Sequence, residues 1–168
     1  MVDAQPILEQ CRDLGFAIAG VCAASPTSYE AELRTWLADG KHGEMSYLAR
    51  NVELRCDPAD IMPDVRSVIC VADRYAAGAE DQPAAGAHGR IARYARGDDY
   101  HRSIKRRLHG LCDALALSHP DESFRACVDT APVLEREHAQ RAGVGAVGKH
   151  TLLIDRGVGS YLLLGEVL

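Results

Sequence analysis

Apolar residues in this chain recur at helical spacing in some segments and stand in short continuous runs in others. This pattern predicts helices that alternate with strands. Four helical stripes cover residues 4–14, 29–37, 104–115 and 132–142. A glycine follows three of these stripes, as is typical of helix ends. Three places along the chain suit a helix N-cap: Ser28, Asp57 before Pro58, and Asp98 or Asp99.

Six short apolar runs predict strands, at residues 16–22, 67–72, 91–95, 124–128, 151–154 and 160–164. The run at 67–72 is continuous and rich in β-branched residues, which predicts a central strand covered on both faces. The last two runs are separated by a glycine-containing turn and predict a hairpin. Residues 76–89 mix Ala, Gly, Pro and Asp without periodicity, which predicts a loop.

The resulting order is α-β-α-β-β-α-β-α-β-β, and it departs twice from strict alternation. This departure argues against a doubly wound parallel sheet. We therefore predict a mixed α/β, or α+β, fold with a mostly antiparallel or mixed sheet flanked by helices. A chain of 168 residues has the size of one domain that can bury a core.

Composition excludes several classes of protein. With 47% hydrophobic and 26% charged residues and a net charge of −5, the chain is predicted to be globular and not uniformly basic. No apolar run is long enough to cross a membrane, and the first residues lack the pattern of a signal peptide, so we expect a cytoplasmic protein. The six cysteines include no C-x-x-C pair, so no zinc ribbon or iron–sulfur motif is predicted.

Residues 90–107 carry seven basic side chains against Asp98 and Asp99, in a chain whose net charge is negative. Such a segment is either the solvated face of a helix or a surface that binds phosphate groups. Tyr94 and Tyr100 lie among the basic residues and could stack on bases or on a macrocycle.

Asp129 follows a predicted strand and precedes a predicted helix. It is either a helix cap or, if Thr130 caps the helix, a catalytic carboxyl at a strand end. Arg55 could simply pair with Asp57. Taken singly, His101 and His150 are better explained as surface or packing residues than as metal ligands, because no companion ligand lies one helical turn away.

The stretch from Gly143 to Lys149 matches a phosphate-binding P-loop, except that His150 replaces the Ser or Thr that ligates magnesium. A P-loop joins a strand to a helix, whereas here a predicted helix comes first and a strand follows. The glycines therefore indicate a tight turn or the close approach of a flat ligand.

Eight segments of the chain, taken in order, resemble the epoxyqueuosine reductase family. They are GF (15–16), WLADGKHGEMSYL (36–48), RCDP (55–58), SVI (67–69), ARYARGDDYH (92–101), VDTAPVLER (128–136), GKHTLLI (148–154) and GSYLLLGE (159–166). No single segment is decisive, but the ordered set covers nearly the whole chain and is specific.

The resemblance implies a cobalamin-binding domain whose fold is related to flavin nitroreductases and reductive dehalogenases. It implies conversion of epoxyqueuosine to queuosine in tRNA, with base-off cobalamin and with electrons from two [4Fe-4S] clusters. Asp129 would be the proton donor and would also contact the cofactor. Further cofactor contacts would be Arg55, Ala92, Arg93, Tyr94, Lys149, His150, Leu153 and Leu164. The basic segment would bind tRNA through Arg102, Lys105 and Arg106.

The family continues into cysteine runs that bind iron–sulfur clusters, and this chain contains none of them. We therefore expect residues 1–168 to be a single cobalamin-binding catalytic domain that lacks the ferredoxin-like half. We also expect a monomer with no membrane partner and with an external or downstream iron–sulfur electron donor. Two alternatives stay open: a non-catalytic module that binds cobalamin or tRNA, and a protein similar to reductive dehalogenases.

The chemistry that the resemblance implies requires an acid. An epoxide oxygen leaves more easily as a hydroxyl group or water than as an anion, so the donor must hold its proton near neutral pH. Asp129 lies between Val128 and the apolar Ala131-Pro132-Val133. Its sequence neighbours thus predict a carboxyl removed from water.

Overall fold

The sheet is built around one long buried strand. The computed structural model describes residues 4–75 and 89–168, so most of the predicted loop at 76–89 lies outside the described residues. Four strands form the main sheet in the order β1-β2-β6-β3, namely β1 (Ile18–Ala23), β2 (Ser67–Arg74), β6 (Leu162–Val167) and β3 (Ala126–Cys127). All neighbouring pairs are antiparallel, which confirms the predicted fold class.

Helices pack on both faces of this sheet, α1 and α6 on one face and α7 on the other. The helices of the described residues are α1 (Gln5–Asp13), α2 (Glu30–Ala38), α3 (Ser46–Arg50), α4 (Val52–Cys56), α5 (Pro58–Ile61), α6 (Tyr100–Ser118) and α7 (Glu135–Arg141). A separate two-stranded ribbon joins β4 (Ala146–Val147) to β5 (Leu153–Ile154). In the described parts of the chain, no helix combines the length and the apolar character needed to cross a bilayer.

Strand β2 separates two cores because its side chains alternate between the faces of the sheet. Ile69 and Val71 pack with the apolar stripe of α6 in one core, and Val68 and Cys70 pack with residues around α7 in the other. The predicted stripe of α6 is confirmed at its four fully buried members, Ile104, Leu108, Leu111 and Leu115. The central strand is thus covered on both faces, as its unbroken apolar sequence predicts.

Two glycines allow these helices to lie close to the sheet. A Cβ atom at Gly165 of β6 would meet side-chain atoms of Ile104 and Leu108 at 2.9 and 3.0 Å. A Cβ atom at Gly20 of β1 would meet the carbonyl oxygen of Ala142 at 2.1 Å. Both positions require glycine because backbone or core atoms occupy the space of a side chain.

A buried polar pair also fixes α7 on the sheet. The Nδ1 atom of His138 lies 3.0 Å from the Oε2 atom of Glu166, and their side chains are 3% and 1% exposed. Burial works against the charged imidazole, but the hydrogen bond and charge of Glu166 outweigh it and raise the pKa of His138. The pair therefore joins the middle of α7 to β6 through a charge-assisted contact.

Three sequence predictions of local structure were wrong. Residues 91–95 form no strand but a 3₁₀ turn at Arg93–Ala95, stabilised by a bond from the Arg96 Nε atom to the Ile91 carbonyl. The predicted hairpin of the last two runs does not form, because β5 pairs with β4 while β6 pairs with β2 and β3. Ser28 does not cap α2; its hydroxyl donates to Glu137 instead.

The other predicted caps are confirmed. Asp57 accepts a hydrogen bond from the Ala59 amide at the start of α5, and Asp99 accepts one from the His101 amide at the start of α6. The cap at Asp99 places Tyr100 and His101 at the first turn of the longest helix, beside the end of β3.

Candidate functional site

A cleft of about 630 Å³ opens between α2, α7 and the β4–β5 ribbon. Apolar side chains make up most of its wall, and α7 with the residues before it supplies one side. Charged and polar groups face it at Glu32, Arg55, Glu135, Arg136, Glu137, Gln140 and Thr151. A cleft that combines apolar walls with placed polar groups is typical of small-molecule sites.

Arg55 lines this cleft from α4 and is not the partner of Asp57. Its Nε atom is buried and has no hydrogen-bond partner among the described residues, while the Asp57 carboxylate is occupied as the cap of α5. A buried donor without a partner costs free energy, so a ligand oxygen that accepts from it would be favoured. Arg55 therefore suits an acceptor group of a bound molecule.

Asp129 lies just after β3 and is not a helix cap. Its backbone has φ +43°, a left-handed conformation that is uncommon outside glycine. Its amide donates to the Glu135 Oε1 atom at 2.8 Å, and α7 begins only at Glu135. Thr130 is not the cap either, because its hydroxyl bonds to the Val128 carbonyl. The carboxyl of Asp129 is therefore available for another role.

The surroundings of Asp129 are wetter than its apolar sequence neighbours predict. Its side chain is 54% exposed. Val128 and Val133 are instead buried in the two cores. The protein thus holds Asp129 at the surface, and the expectation of a desolvated carboxyl is wrong for the described structure.

His101 connects Asp129 to a second carboxylate. Its Nε2 atom lies 2.8 Å from the Asp129 Oδ2 atom, and its Nδ1 atom lies 2.8 Å from the Asp99 Oδ1 atom. The hydrogen bond with Asp129 is the main reason that the pKa of His101 is raised. The sequence interpretation of His101 as a surface or packing residue missed this role, because Asp129 is distant in sequence.

An aromatic cluster surrounds this group. Tyr100 stacks on His101 with ring centroids 4.0 Å apart, and edge-to-face contacts lead from Tyr100 through Tyr94 and Tyr75 to Tyr161. Burial, followed by the charges of Asp129 and Glu135, raises the pKa of Tyr100 to about 12. Tyr94 and Tyr161 are nearly half exposed and could contact a flat ligand.

The other predicted cofactor contacts lie in different settings. Arg93 covers the ring of Tyr161, with its guanidinium carbon 5.3 Å from the ring centroid, and Ala92 is exposed beside it. Lys149 and His150 are exposed in the turn between β4 and β5. Leu153 is only 3% exposed and belongs to the core beside α7, against which Leu164 also packs. These two leucines therefore support the site from within the core.

The basic residues of α6 divide between its two sides. Arg102, Lys105 and Arg106 are exposed on one face, where helical spacing brings them together. Arg107 is turned inward, pairs with Asp73 and covers the ring of Phe16, 4.3 Å from its centroid. The surface that could contact phosphate groups is thus smaller than the count of basic residues in the sequence indicates.

Glu135 is a further residue of the site that sequence reasoning missed. It lines the cleft and also accepts the Asp129 amide, so it joins the two parts of the site. Burial, and next the charge of Glu166, raises the pKa of Glu135 to about 8. Its place at the first position of α7 is a signal available in the sequence, but its burial is not.

Among the described residues, no group of three or more His, Cys, Asp or Glu side chains could hold a metal ion.

Known proteins are similar to this chain in sequence and in fold. The family model described as Epoxyqueuosine reductase QueG, DUF1730 matches residues 55–130. A curated epoxyqueuosine reductase of Pseudomonas aeruginosa is 39% identical over 167 residues, which cover 98% of this chain and 46% of the relative. The chain thus spans about half the length of the curated relatives that it matches.

Solved structures agree with this result. An epoxyqueuosine reductase from Streptococcus thermophilus matches with a TM-score of 0.87 and 27% identity, covering 100% of this chain and 46% of that one. One crystallised with a tRNA-Tyr epoxyqueuosine-modified stem loop matches with a TM-score of 0.85 and 25% identity, covering 97% and 44%. A reductive dehalogenase described in terms of B12-dependent dehalogenation is similar in fold alone, with 20% identity and a TM-score of 0.52 over 98% of this chain and 18% of that one.

The antiparallel sheet between two helical layers is a fold that the chain shares with these solved structures. Residues 55–130 match the family model of epoxyqueuosine reductases, and the chain is similar along nearly its whole length to about half of a curated relative of that name.

The raised pKa of Glu135 predicts a specific pH dependence of stability. Because its folded pKa of about 8 exceeds the ordinary 4.5, ionisation of this carboxyl opposes folding. Its stabilising contribution is complete below about 4.5 and is lost as pH rises through about 8. Glu135→Gln cannot ionise but keeps an oxygen for the Asp129 amide, so its advantage in unfolding free energy over the wild type should grow across this range.

Denaturant unfolding of both proteins at a series of pH values measures this difference. Glu32→Gln serves as the control, since Glu32 is an exposed carboxylate of the same cleft. Parallel pH profiles for the wild type and Glu135→Gln would show that Glu135 ionises normally.

Proposed function

We propose that this chain is the cobalamin-binding and proton-donating part of a reductase that converts epoxyqueuosine to queuosine in tRNA. The observation that carries the proposal is the position of Asp129, held by His101 and Glu135 beside the cleft that contains Arg55. The names of the relatives support it, since the curated proteins of this family are called epoxyqueuosine reductases.

Asp129 would act as a general acid. Reduction of an epoxide to an alkene breaks both bonds from carbon to the epoxide oxygen, consumes two electrons and two protons, and releases water. A carboxyl group that protonates the oxygen as it leaves avoids the formation of an oxyanion. The left-handed backbone at Asp129 and its two hydrogen-bonded neighbours would fix the acid in one position.

The residues of the cleft fit cobalamin. The buried, unpartnered Nε atom of Arg55 could donate to an amide oxygen of the corrin side chains. The apolar walls of the cleft suit a flat macrocycle. The half-exposed rings of Tyr94 and Tyr161 and the side chains of Arg93, Lys149 and His150 do not line this cleft, and they would contact parts of the macrocycle that extend beyond it. When bound, cobalamin would supply the electrons for the reduction, and the protein would supply placement and the proton. An iron–sulfur protein or domain would reduce the cofactor.

The exposed basic face of α6 would bind the tRNA backbone. Arg102, Lys105 and Arg106 lie on the helix that also carries His101, so phosphate contacts there would place the nucleic acid near Asp129. The solved relative with an epoxyqueuosine-modified stem loop supports tRNA as the partner. Such a substrate also favours a cytoplasmic location.

A second candidate function is a module that binds cobalamin or tRNA without turnover. Asp129 has a strained backbone and is hydrogen-bonded to two neighbouring residues. This arrangement favours the catalytic function, because binding alone does not need an acid in this position. A reductive dehalogenation of small molecules is a third candidate. The exposed basic face argues against it, since a small halogenated substrate needs no phosphate contacts.

Replacing Asp129 by Asn tests the catalytic proposal. Asn tolerates the left-handed backbone, and its backbone amide can still donate a hydrogen bond to Glu135. It cannot donate a proton as an acid. In the complete enzyme that contains this chain, reduction of epoxyqueuosine in a tRNA stem loop should slow by about 10²–10⁴-fold. The melting temperature and tRNA affinity should change little.

Asp98→Asn is the matched control, because it removes a neighbouring exposed carboxylate without touching the site. A rate in Asp129→Asn equal to that of the wild type would reject Asp129 as the acid.

A triple change on α6 tests the tRNA surface. Replacing Arg102, Lys105 and Arg106 by Ala should weaken binding to an anticodon stem loop. It should also reduce the slope of log affinity against log salt by about 2–3, because each lost phosphate contact removes roughly 0.7–0.9. Binding measured by fluorescence anisotropy at several salt concentrations gives both values.

A control triple variant removes the same charge from other elements, at Arg12, Lys41 and Arg50, which are all exposed. If both variants lose affinity and slope equally, the effect comes from net charge and the α6 surface is not the binding site.

A further inference from the structure

We infer that His101, with Asp99 behind it, resupplies the proton that Asp129 donates. This inference rests on the proposed function of Asp129. It adds a residue that touches the acid and gives the source of its proton. The contacts that carry it are the two 2.8 Å distances on opposite nitrogens of one imidazole ring, each to a different carboxylate.

A count of protons leads to this inference. A carboxylate only accepts hydrogen bonds, and a neutral imidazole has one donor nitrogen and one acceptor nitrogen. With both carboxylates ionised, a neutral His101 can satisfy only one of its two contacts. Both contacts form together only if the group of three holds one more proton, either on the ring or on a carboxyl. The geometry is therefore that of a group that stores a transferable proton.

The stored proton can move to the acid in one step. Transfer from the His101 Nε2 atom to the Asp129 Oδ2 atom makes Asp129 a neutral acid and leaves the ring neutral. The remaining ring proton, on Nδ1, stays hydrogen-bonded to Asp99. After Asp129 releases its proton to the substrate oxygen, a proton from water restores the imidazolium, because the His101 side chain is 38% exposed. No oxidant or reductant is needed for this transfer.

This relay accounts for an acid at an exposed position. A half-exposed aspartate lacks the burial that keeps other catalytic acids protonated. A donor held at 2.8 Å provides a proton at the time of reaction without burial. Asp129 therefore needs a partner more than it needs a dry pocket, and His101 is the partner that the fold supplies.

The charges around His101 favour its protonated form. Asp129 and Asp99 contact its two nitrogens, and Tyr100 stacks on the ring. Glu135 accepts a hydrogen bond from the backbone amide of Asp129. Arg102 contacts this group from the exposed side, with its Nε atom 3.6 Å from the Asp99 Oδ2 atom. The negative groups are closer, so they raise the pKa of His101 despite its partial burial.

Nitrogen NMR of histidine in the purified chain tests the stored proton without cofactor, tRNA or turnover. With ¹⁵N-histidine, His101 should show both ring nitrogens protonated at pH values where the imidazole of free histidine is neutral. Asp129→Asn should lower the titration midpoint of His101, and Asp99→Asn should lower it too. A midpoint of His101 equal to that of free histidine, unchanged in Asp129→Asn, would overturn the inference.

Activity of the complete enzyme tests the transfer itself. His101→Gln keeps a hydrogen-bonding side chain but cannot titrate, so turnover should fall by about tenfold or more. The part of the pH–rate profile that follows the titration of His101 should also disappear. Imidazole added to His101→Ala should restore part of the rate, which a purely structural role does not predict. Full activity and an unchanged pH profile in His101→Gln would reject the relay. If Asp129→Asn were inactive while His101→Gln kept full activity, the proposed function of Asp129 would stand and only the relay through His101 would be rejected.

Discussion

The contact between α7 and the sheet is the constraint on which the site depends. His138 and Glu166 form a buried pair at the centre of this contact. Gly20 lets the end of the helix lie so close to β1 that no side chain would fit between them. A buried ion pair adds little net stability, but loss of one partner leaves an uncompensated charge that typically costs about 3–5 kcal/mol. The pair therefore fixes where α7 lies more than it strengthens the fold.

The position of α7 determines the rest of the site. Its first residue, Glu135, faces the cleft and holds the Asp129 amide, while its middle is anchored through His138. On the opposite face of the sheet, α6 is brought close by Gly165 and presents His101 to the same carboxyl. Two helices from opposite layers thus meet at one acid after β3, and small shifts of either helix would separate the acid from its partners.

Sequence patterns predict the layers of this fold well and its site only in part. The buried stripe of α6, the two-sided strand β2 and the caps at Asp57 and Asp99 follow from local spacing. The false hairpin arose because local pattern cannot show that β6 pairs with the distant β2. For the same reason the sequence does not reveal that His101 reaches Asp129, nor that Asp129 is exposed. Those facts depend on tertiary packing. Local spacing left Asp129 open between a helix cap and a catalytic carboxyl, and the family resemblance favoured the acid.

The claim that this cleft belongs to a cobalamin-dependent reductase is tested most directly by a visible spectrum. Cob(II)alamin titrated with the purified chain should change to the base-off form and saturate. Arg55→Ala should weaken this binding, because an acceptor oxygen of the cofactor loses the buried donor at Arg55, whereas Arg50→Ala on the neighbouring exposed helix should not. A spectrum identical to that of free cobalamin at protein concentrations far above the cofactor would contradict the account.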